Sequence, residues 1–163
     1  MKRPEVIASK IFTLKDLISK TRQWKFFGKT IAFTNGCFDI LHEGHIYSLS
    51  QAAKEADYLV VGVNADASVK KLKGESRPVN NEHSRATILA SLMIVDAVII
   101  FEEDTPLELI KTILPDVLVK GGDYKVDDIA GAKEVIANGG RVVINPILEG
   151  FSTTSIISKM SKK

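Results

Sequence analysis

Thr34-Asn35-Gly36-Cys37-Phe38-Asp39-Ile40-Leu41-His42-Glu43-Gly44-His45 joins an apolar run to an amphipathic one, and its reading decides the fold. Ile31, Ala32 and Phe33 read as the end of a buried strand. From His45 to Ala56, Ile46, Leu49, Ala52 and Ala53 recur at the spacing of one helical face. The join is therefore strand, glycine turn, helix. Gly36 permits a turn that aims backbone N–H groups at an anion, and a helix start adds unpaired donors and partial positive charge. His42 and His45 are three residues apart, so a helical first turn puts both imidazoles on one face. Together these features predict a phosphate site. A glycine turn after a strand and a pair of surface histidines also occur without function, and Cys37, Asp39, His42 and His45 form a rival metal-ligand set. His42-Glu43-Gly44-His45 lacks the i, i+4 spacing of a zinc protease helix and no second Cys or His cluster follows, so no residue is assigned to a metal.

A chain of 163 residues suits one domain, residues 1–163, with 1–29 as a helical arm ahead of the first central strand. Its 22 basic and 20 acidic residues leave a formal net charge of +2, which implies no polyanion-binding surface and no nucleic-acid partner. One cysteine excludes an internal disulfide, and Met1-Lys2-Arg3-Pro4-Glu5 lacks the apolar stretch of a leader peptide. No run approaches the roughly 18 apolar residues of a membrane span. A cytoplasmic protein without membrane attachment is expected.

Along the arm, Thr13 to Ile18 reads as a short capped helix, and Trp24, Phe26 and Phe27 cluster before Gly28 as a packing surface for the domain edge or a second subunit. Tyr58 to Asn64 reads as a fully buried strand, after which Asp66 is placed to cap a short helix. Lys70, Lys71, Lys73 and Gly74 follow, closed by Arg77-Pro78. Asn81 to Leu92 is a helical pattern that carries Arg85 outward from a face of Ile88, Leu89 and Leu92, and Ala97 to Phe101 is the third strand. Thr105-Pro106-Leu107-Glu108 has the form of a capping box that starts a helix, which Pro115 ends. Val117 to Val119 makes a fourth strand, leading into a second glycine loop, Lys120-Gly121-Gly122-Asp123-Tyr124. Ile129 to Asn138 reads as a helix stopped by Gly139-Gly140, and Arg141 to Ile144 as a fifth strand. Finally, Ser152 is a natural N-cap, and Ser152-Thr153-Thr154-Ser155 offers more hydroxyls than a cap needs. Alternating strands and helices predict an α/β, doubly wound parallel sheet with helices on both faces, whose ligand binds beyond the carboxyl ends of the strands.

His42-Glu43-Gly44-His45, preceded by Asn35-Gly36-Cys37-Phe38-Asp39, resembles the His-x-Gly-His signature of the nucleotidyltransferase superfamily. The chain looks most like the adenylyltransferase domain of the ADP-heptose synthesis enzymes. The likeness runs through Val61 to Asp66, Lys73-Gly74, Arg77-Pro78, Arg85, Val95-Asp96, Phe101 to Pro106, Lys120 to Tyr124 and Ser152-Thr153-Thr154. It implies a Rossmann-like five-stranded sheet in the order 3-2-1-4-5, which makes the first and fourth strands neighbours and turns both glycine loops to one crevice. The family usually has Arg where this chain has Lys159, so charge is kept and bidentate phosphate geometry lost.

The implied reaction is transfer of AMP from ATP to a sugar 1-phosphate, D-glycero-D-manno-heptose 1-phosphate first among them. Rival readings are a cytidylyltransferase acting on glycerol 3-phosphate and a non-catalytic nucleotide-binding regulatory module. His42, His45 and Lys73 are the expected catalytic residues, with Lys70 and Lys71 as alternatives to Lys73. Thr34, Asn35, Gly36, Phe38, Gly44, Lys120, Gly122, Ser152, Thr153, Thr154 and Ser155 are the expected nucleotide and phosphate ligands, and Asp39, Arg85 and Asp123 the expected acceptor contacts. Asp39 could alternatively orient a metal-bound water. Mg²⁺ is expected to arrive with ATP, a separate sugar kinase to supply the acceptor, and the resemblance makes a homodimer plausible.

Overall fold

In the computed structural model, which describes residues 3–146, 148 and 150–160, five parallel strands form one sheet. They are β1 (Ile31–Gly36), β2 (Tyr58–Asn64), β3 (Ala97–Phe101), β4 (Val117–Gly121) and β5 (Arg141–Asn145), in the spatial order β3-β2-β1-β4-β5. The helices are α1 (Glu5–Ser9), α2 (Leu14–Phe26), α3 (Glu43–Ala53), α4 (Asp66–Lys73), α5 (Glu82–Ala90), α6 (Leu107–Ile113), α7 (Ala132–Ala137) and α8 (Thr153–Met160). Strand order is therefore the expected one. Central β1 pairs on both edges, with Ala32 opposite Leu59 of β2 and Val117 of β4.

Alternation of side chains along each strand divides the core in two. Ile31 and Phe33, Val60, Ile99 and Leu118 pack on one face with Leu17 and Trp24 of α2, Ile110 of α6 and Val135 of α7. Ala32, Leu59 and Val61, Val98, Val117 and Val119 pack on the other with Leu49 of α3 and Leu89 of α5. All of these side chains are buried. After β3 the chain crosses back to lay β4 beside β1, so the carboxyl ends of β1 and β4 open a crevice at the reversal of strand order.

The arm departs from expectation. Its helix is longer than predicted, running to Phe26 from a Thr13 cap that accepts from the Asp16 N–H at 3.2 Å. Trp24 is part of the core, stacked on Tyr58 at 4.1 Å between ring centroids, while Phe26 and Phe27 are exposed. The chain at Lys10 to Phe12 adds a parallel bridge to the edge of β3, through Val98 N–H to Lys10 O at 2.8 Å and Phe12 N–H to Val98 O at 2.9 Å. Nothing in the periodicity signals so short a pairing. Helix α6 begins at Leu107 with Pro106 at the cap position and no side-chain cap, so Thr105 does not close the predicted box. At its other end Leu114 takes a left-handed conformation before Pro115, and Lys25 Nζ donates to the carbonyls of Ile113 and Leu114. Asp66 is likewise not a cap. It occupies the first turn of α4, where its N–H donates to Glu82 at 2.7 Å. Helix α7 is shorter than predicted because a 3₁₀ turn at Val126–Asp128 and a left-handed Gly131 precede it. Among the described residues no helix is long and apolar enough to cross a membrane.

Candidate active site

The loop after β1 turns at Phe38 rather than at Gly36. Phe38 has φ 47°, whereas Gly36 ends the strand and gives its missing side chain to the Phe38 ring, which would lie 3.1 Å from a Cβ there. A left-handed phenylalanine is strained and persists where neighbours over-determine it. Here both neighbours are tied down. The Cys37 carbonyl accepts from Arg85 Nη1 at 2.6 Å, and the Asp39 carboxylate accepts from Arg77 Nε at 2.6 Å and from the Val79 and Asn80 N–H groups at 2.8 and 2.9 Å. Asn80 returns a side-chain bond to Asp39 O at 2.7 Å. Desolvation opposes the charge on Asp39, but these donors outweigh it and hold the carboxyl below its ordinary range.

Two side chains expected at the acceptor are engaged within the protein, Asp39 while also lining the cavity around the histidines. Asp39 has its carboxylate committed to the 77–80 loop, and Arg85 does not point outward at all. Its side chain is fully buried, with Nε donating to Asn80 O at 2.9 Å and Nη2 to Asp66 at 2.7 Å. Ile88, assigned to the buried face, is the exposed one. A guanidinium with several fixed acceptors can be sequestered where an unpaired one cannot.

His42 is the extended N-cap residue of α3 rather than a residue of its first turn, so the shared face expected of a helical first turn is reached across the cap. The His42 and His45 rings stack, with centroids 3.9 Å apart and planes 25° from parallel. Phe38 lies against His45 at 5.3 Å. Both Nδ1 atoms are buried without a hydrogen-bond partner. Burial lowers the pKa of His42, and burial followed by the neighbouring His42 lowers that of His45 to about 4. Two neutral imidazoles therefore stand at a helix start whose first N–H groups have no intrahelical acceptor. Gly44 gives this arrangement room, since a Cβ there would meet His42 at 3.1 Å and Phe151 at 3.0 Å and make both give way slightly.

Around them opens a cavity of about 710 Å³. Asn35, Gly36, Phe38, Gly44, Lys73 and Lys120 line it, as do Ser152, Thr153 and Thr154. Lys120, at the end of β4, reaches Asn35 Oδ1 at 3.4 Å and sits over the Tyr124 ring, and desolvation lowers its pKa. Ser152 caps α8 as expected, accepting from the Ser155 N–H at 3.0 Å, and Thr153 Oγ1 donates to Ile40 O at 3.4 Å. The structure does not bring every expected residue to the wall. Thr34 is buried within β1, and the Gly122 N–H, at φ 118°, donates to Asn145 O at 3.0 Å. Asp123 is exposed beside the cavity lining rather than in it, and Ser155 lies behind the cap. Lys71 pairs with Asp104 at 2.9 Å on the surface, leaving Lys73 as the lysine of that run in the wall. Sequence reasoning missed Arg77 and Phe151, which both line the cavity. Arg77 carried a signal in its place beside Pro78; Phe151 carried none beyond its place before the Ser/Thr run. Among the described residues no group of three or more His, Cys, Asp or Glu is placed to hold a metal ion.

Residues 33–159 match the model of the family described as cytidylyltransferase-like. The chain is 55% identical over 152 residues to the bifunctional protein HldE of Rhodospirillum rubrum, a match that covers 93% of this chain and 31% of that one. It is 53% identical over 154 residues to the bifunctional protein HldE of Koribacter versatilis, covering 94% and 32%. The chain thus spans about a third of the length of these relatives. Among solved structures, a lipopolysaccharide core biosynthesis protein from Thermoplasma volcanium aligns with TM-score 0.59 and 30% identity over 74% of this chain and 98% of that one. A pantoate-beta-alanine ligase from Francisella tularensis, at 16% identity and TM-score 0.60 over 93% and 76%, shares the fold alone. With its sheet order, its histidine pair and a family match across most of its length, the chain belongs to the cytidylyltransferase-like family, the nucleotidyltransferase class that the sequence resemblance implied.

Proposed function

We propose that the cavity transfers AMP from ATP to D-glycero-D-manno-heptose 1-phosphate, giving ADP-heptose and pyrophosphate, and that residues 1–163 act as one unit in doing so. The observation that carries this reading is the stack of two neutral imidazoles at the start of α3, facing a cavity whose wall also holds Lys73 and Lys120. The choice of heptose rests on the resemblance to the ADP-heptose enzymes and on likeness to the bifunctional relatives and the lipopolysaccharide core protein.

In the proposed reaction an anionic oxygen of the sugar phosphate attacks the α-phosphorus of ATP in line. The bond from that phosphorus to the α–β bridging oxygen breaks, and pyrophosphate leaves with the electron pair. No protein nucleophile or strong base is required, so the chain's task is positioning and stabilisation of charge. His42 and His45, being neutral, donate hydrogen bonds rather than net charge. Positive charge comes from Lys73 and Lys120. Desolvation disfavours the charged form of Lys120, and a bound polyphosphate would reverse that by pairing with it. Ser152, Thr153 and the first N–H groups of α8 would hold the leaving end. Enzymes of this class use ATP with a divalent metal. An ion carried in by the nucleotide's own phosphates, Mg²⁺ in this proposal, would help Lys73, Arg77 and Lys120 neutralise charge on the polyphosphate. The acceptor requires a sugar kinase as its source.

Pyrophosphate release decides the matter when four nucleoside triphosphates are tested against heptose 1-phosphate, hexose 1-phosphates, glycerol 3-phosphate and phosphopantetheine. ATP with heptose 1-phosphate should be the best pair. A preference for CTP with glycerol 3-phosphate would overturn the substrate, and tight nucleotide binding without release in any pairing would overturn the enzyme.

A further inference from the structure

We propose that Phe151 is a positioning residue that couples the Ser/Thr-rich start of α8 to the His42 imidazole, so that the two anion-facing helix starts act as one. The inference rests on the reading of the cavity as a phosphate site. Three contacts carry it. The Phe151 ring lies near parallel to His42, at 23° and 6.4 Å between centroids, which gives His42 one such neighbour on α3 and another on the segment leading to α8. Gly44 admits that segment, because a Cβ there would stand 3.0 Å from the Phe151 Cβ. Thr153 Oγ1 then bonds Ile40 O at 3.4 Å, so residues on both sides of Ser152 touch the loop that carries the histidines.

Helix α8 has no buried residue of its own. An element with few buried contacts is held by whichever ones it has, and opens at low cost when they are removed. Phe151, 39% exposed, is thus both an anchor for the Ser152 to Thr154 donors and a shield over His42. Burial lowers the His42 pKa, in a cavity whose other titratable and charged groups include the stacked His45, Asp39, Lys73, Arg77, Lys120, Asp104 and Asp128. Removing the ring should admit water to His42 and loosen α8 together.

The test compares Phe151→Ala, Phe151→Leu and Phe151→Tyr with the parent protein. The measurements are the NMR titration of His42 without nucleotide, ATP affinity by calorimetry, and thermal melting. In Phe151→Ala the His42 midpoint should rise towards its ordinary 6.5 and ATP should bind about tenfold more weakly, the scale of a misplaced binding group, with an unchanged melting curve. Phe151→Leu should show the same changes at smaller size, and reads the proposal if the alanine variant does not fold. Phe151→Tyr should restore both values. An unmoved His42 titration, with or without weaker ATP binding, overturns the coupling. If the titration and affinity shift together while no substrate pair releases pyrophosphate, the coupling stands and the transferase reading falls.

Discussion

Asp39 and His42 stand three residues apart in one loop, and their side chains are in opposite states. Asp39 accepts from one guanidinium and two backbone N–H groups, which leaves its carboxylate committed to the 77–80 loop. His42 and His45 keep buried Nδ1 atoms without a partner. One half of the motif is scaffold, satisfied by the protein itself. The other half is left unsatisfied, and a buried unpaired polar group costs about 1–3 kcal/mol unless something pairs with it. That asymmetry points to where a ligand belongs more sharply than the motif does, because both halves are polar and both line the same cavity.

The largest effect should come from the unsatisfied half. His45→Ala is expected to lower kcat by roughly 10²- to 10³-fold, the scale of losing one preorganised donor to developing charge, while circular dichroism stays unchanged. Wild-type turnover in a folded His45→Ala protein would break the comparison outright. On the scaffold side, Arg85→Ala leaves two carbonyls and the Asp66 carboxylate without their donor. Denaturant unfolding should show a loss of about 3 kcal/mol, the low end for breaking a buried pair because Asp66 is partly exposed. Arg85→Lys should not rescue it, since one ammonium cannot reproduce the fork that serves three acceptors.

These two residues also show what could be read from the sequence. The alternation of strands and helices and the histidine pair were legible because each depends on local pattern: apolar runs, glycine punctuation and a spaced motif; the strand order, and with it the crevice between the first and fourth strands, came from the family resemblance. Arg85 was not. Helical periodicity assigns a charged residue to the solvent face by default, and its acceptor Cys37 O lies 48 residues away in sequence. The partners of Asp39 were hidden for the same reason, its donors being some 40 residues downstream. Phe38 hides a left-handed turn because the adjacent Gly36 is the residue that chemistry would choose for it. The Ile11 bridge and the Phe151 contact are likewise products of tertiary packing that no window of sequence contains.

Acid should separate the two halves by pH. His45 has a folded pKa near 4 against an ordinary 6.5, so the native state carries fewer protons than the unfolded chain between those values. Its contribution is fully present above about pH 6.5 and is lost as pH falls towards 4. Asp39 is shifted the other way relative to its charge: its pKa lies below 3.8, so the scaffold keeps its contribution until pH falls lower still. Urea midpoints at pH 7, 5 and 4 should therefore fall for the parent protein and fall less for His45→Ala. Equal slopes for the two proteins would show that the imidazole is not held neutral by the fold.

The smallest effect tests whether position alone sorts the lysines of α4. Lys71 and Lys73 are two residues apart, and sequence offered either as a phosphate contact. Lys71 pairs with Asp104 across the rim with both side chains about two-thirds or more exposed, at 67% and 72%. An exposed pair of this kind is worth about 0–1 kcal/mol and is screened by salt. Lys73 lines the cavity itself. Lys71→Met is thus expected to change stability by no more than about 0.5 kcal/mol and to leave the KM for ATP where it was. Lys73→Met should raise that KM about tenfold, the scale of one charge-assisted hydrogen bond to phosphate. Steady-state kinetics with ATP varied at 50 and 300 mM salt, about the range over which screening tightens, would show whether Lys71 takes any part. If Lys71→Met raised KM as much as Lys73→Met, the pair with Asp104 would be one that nucleotide breaks, and the rim lysine would move from the satisfied half of the molecule to the unsatisfied one.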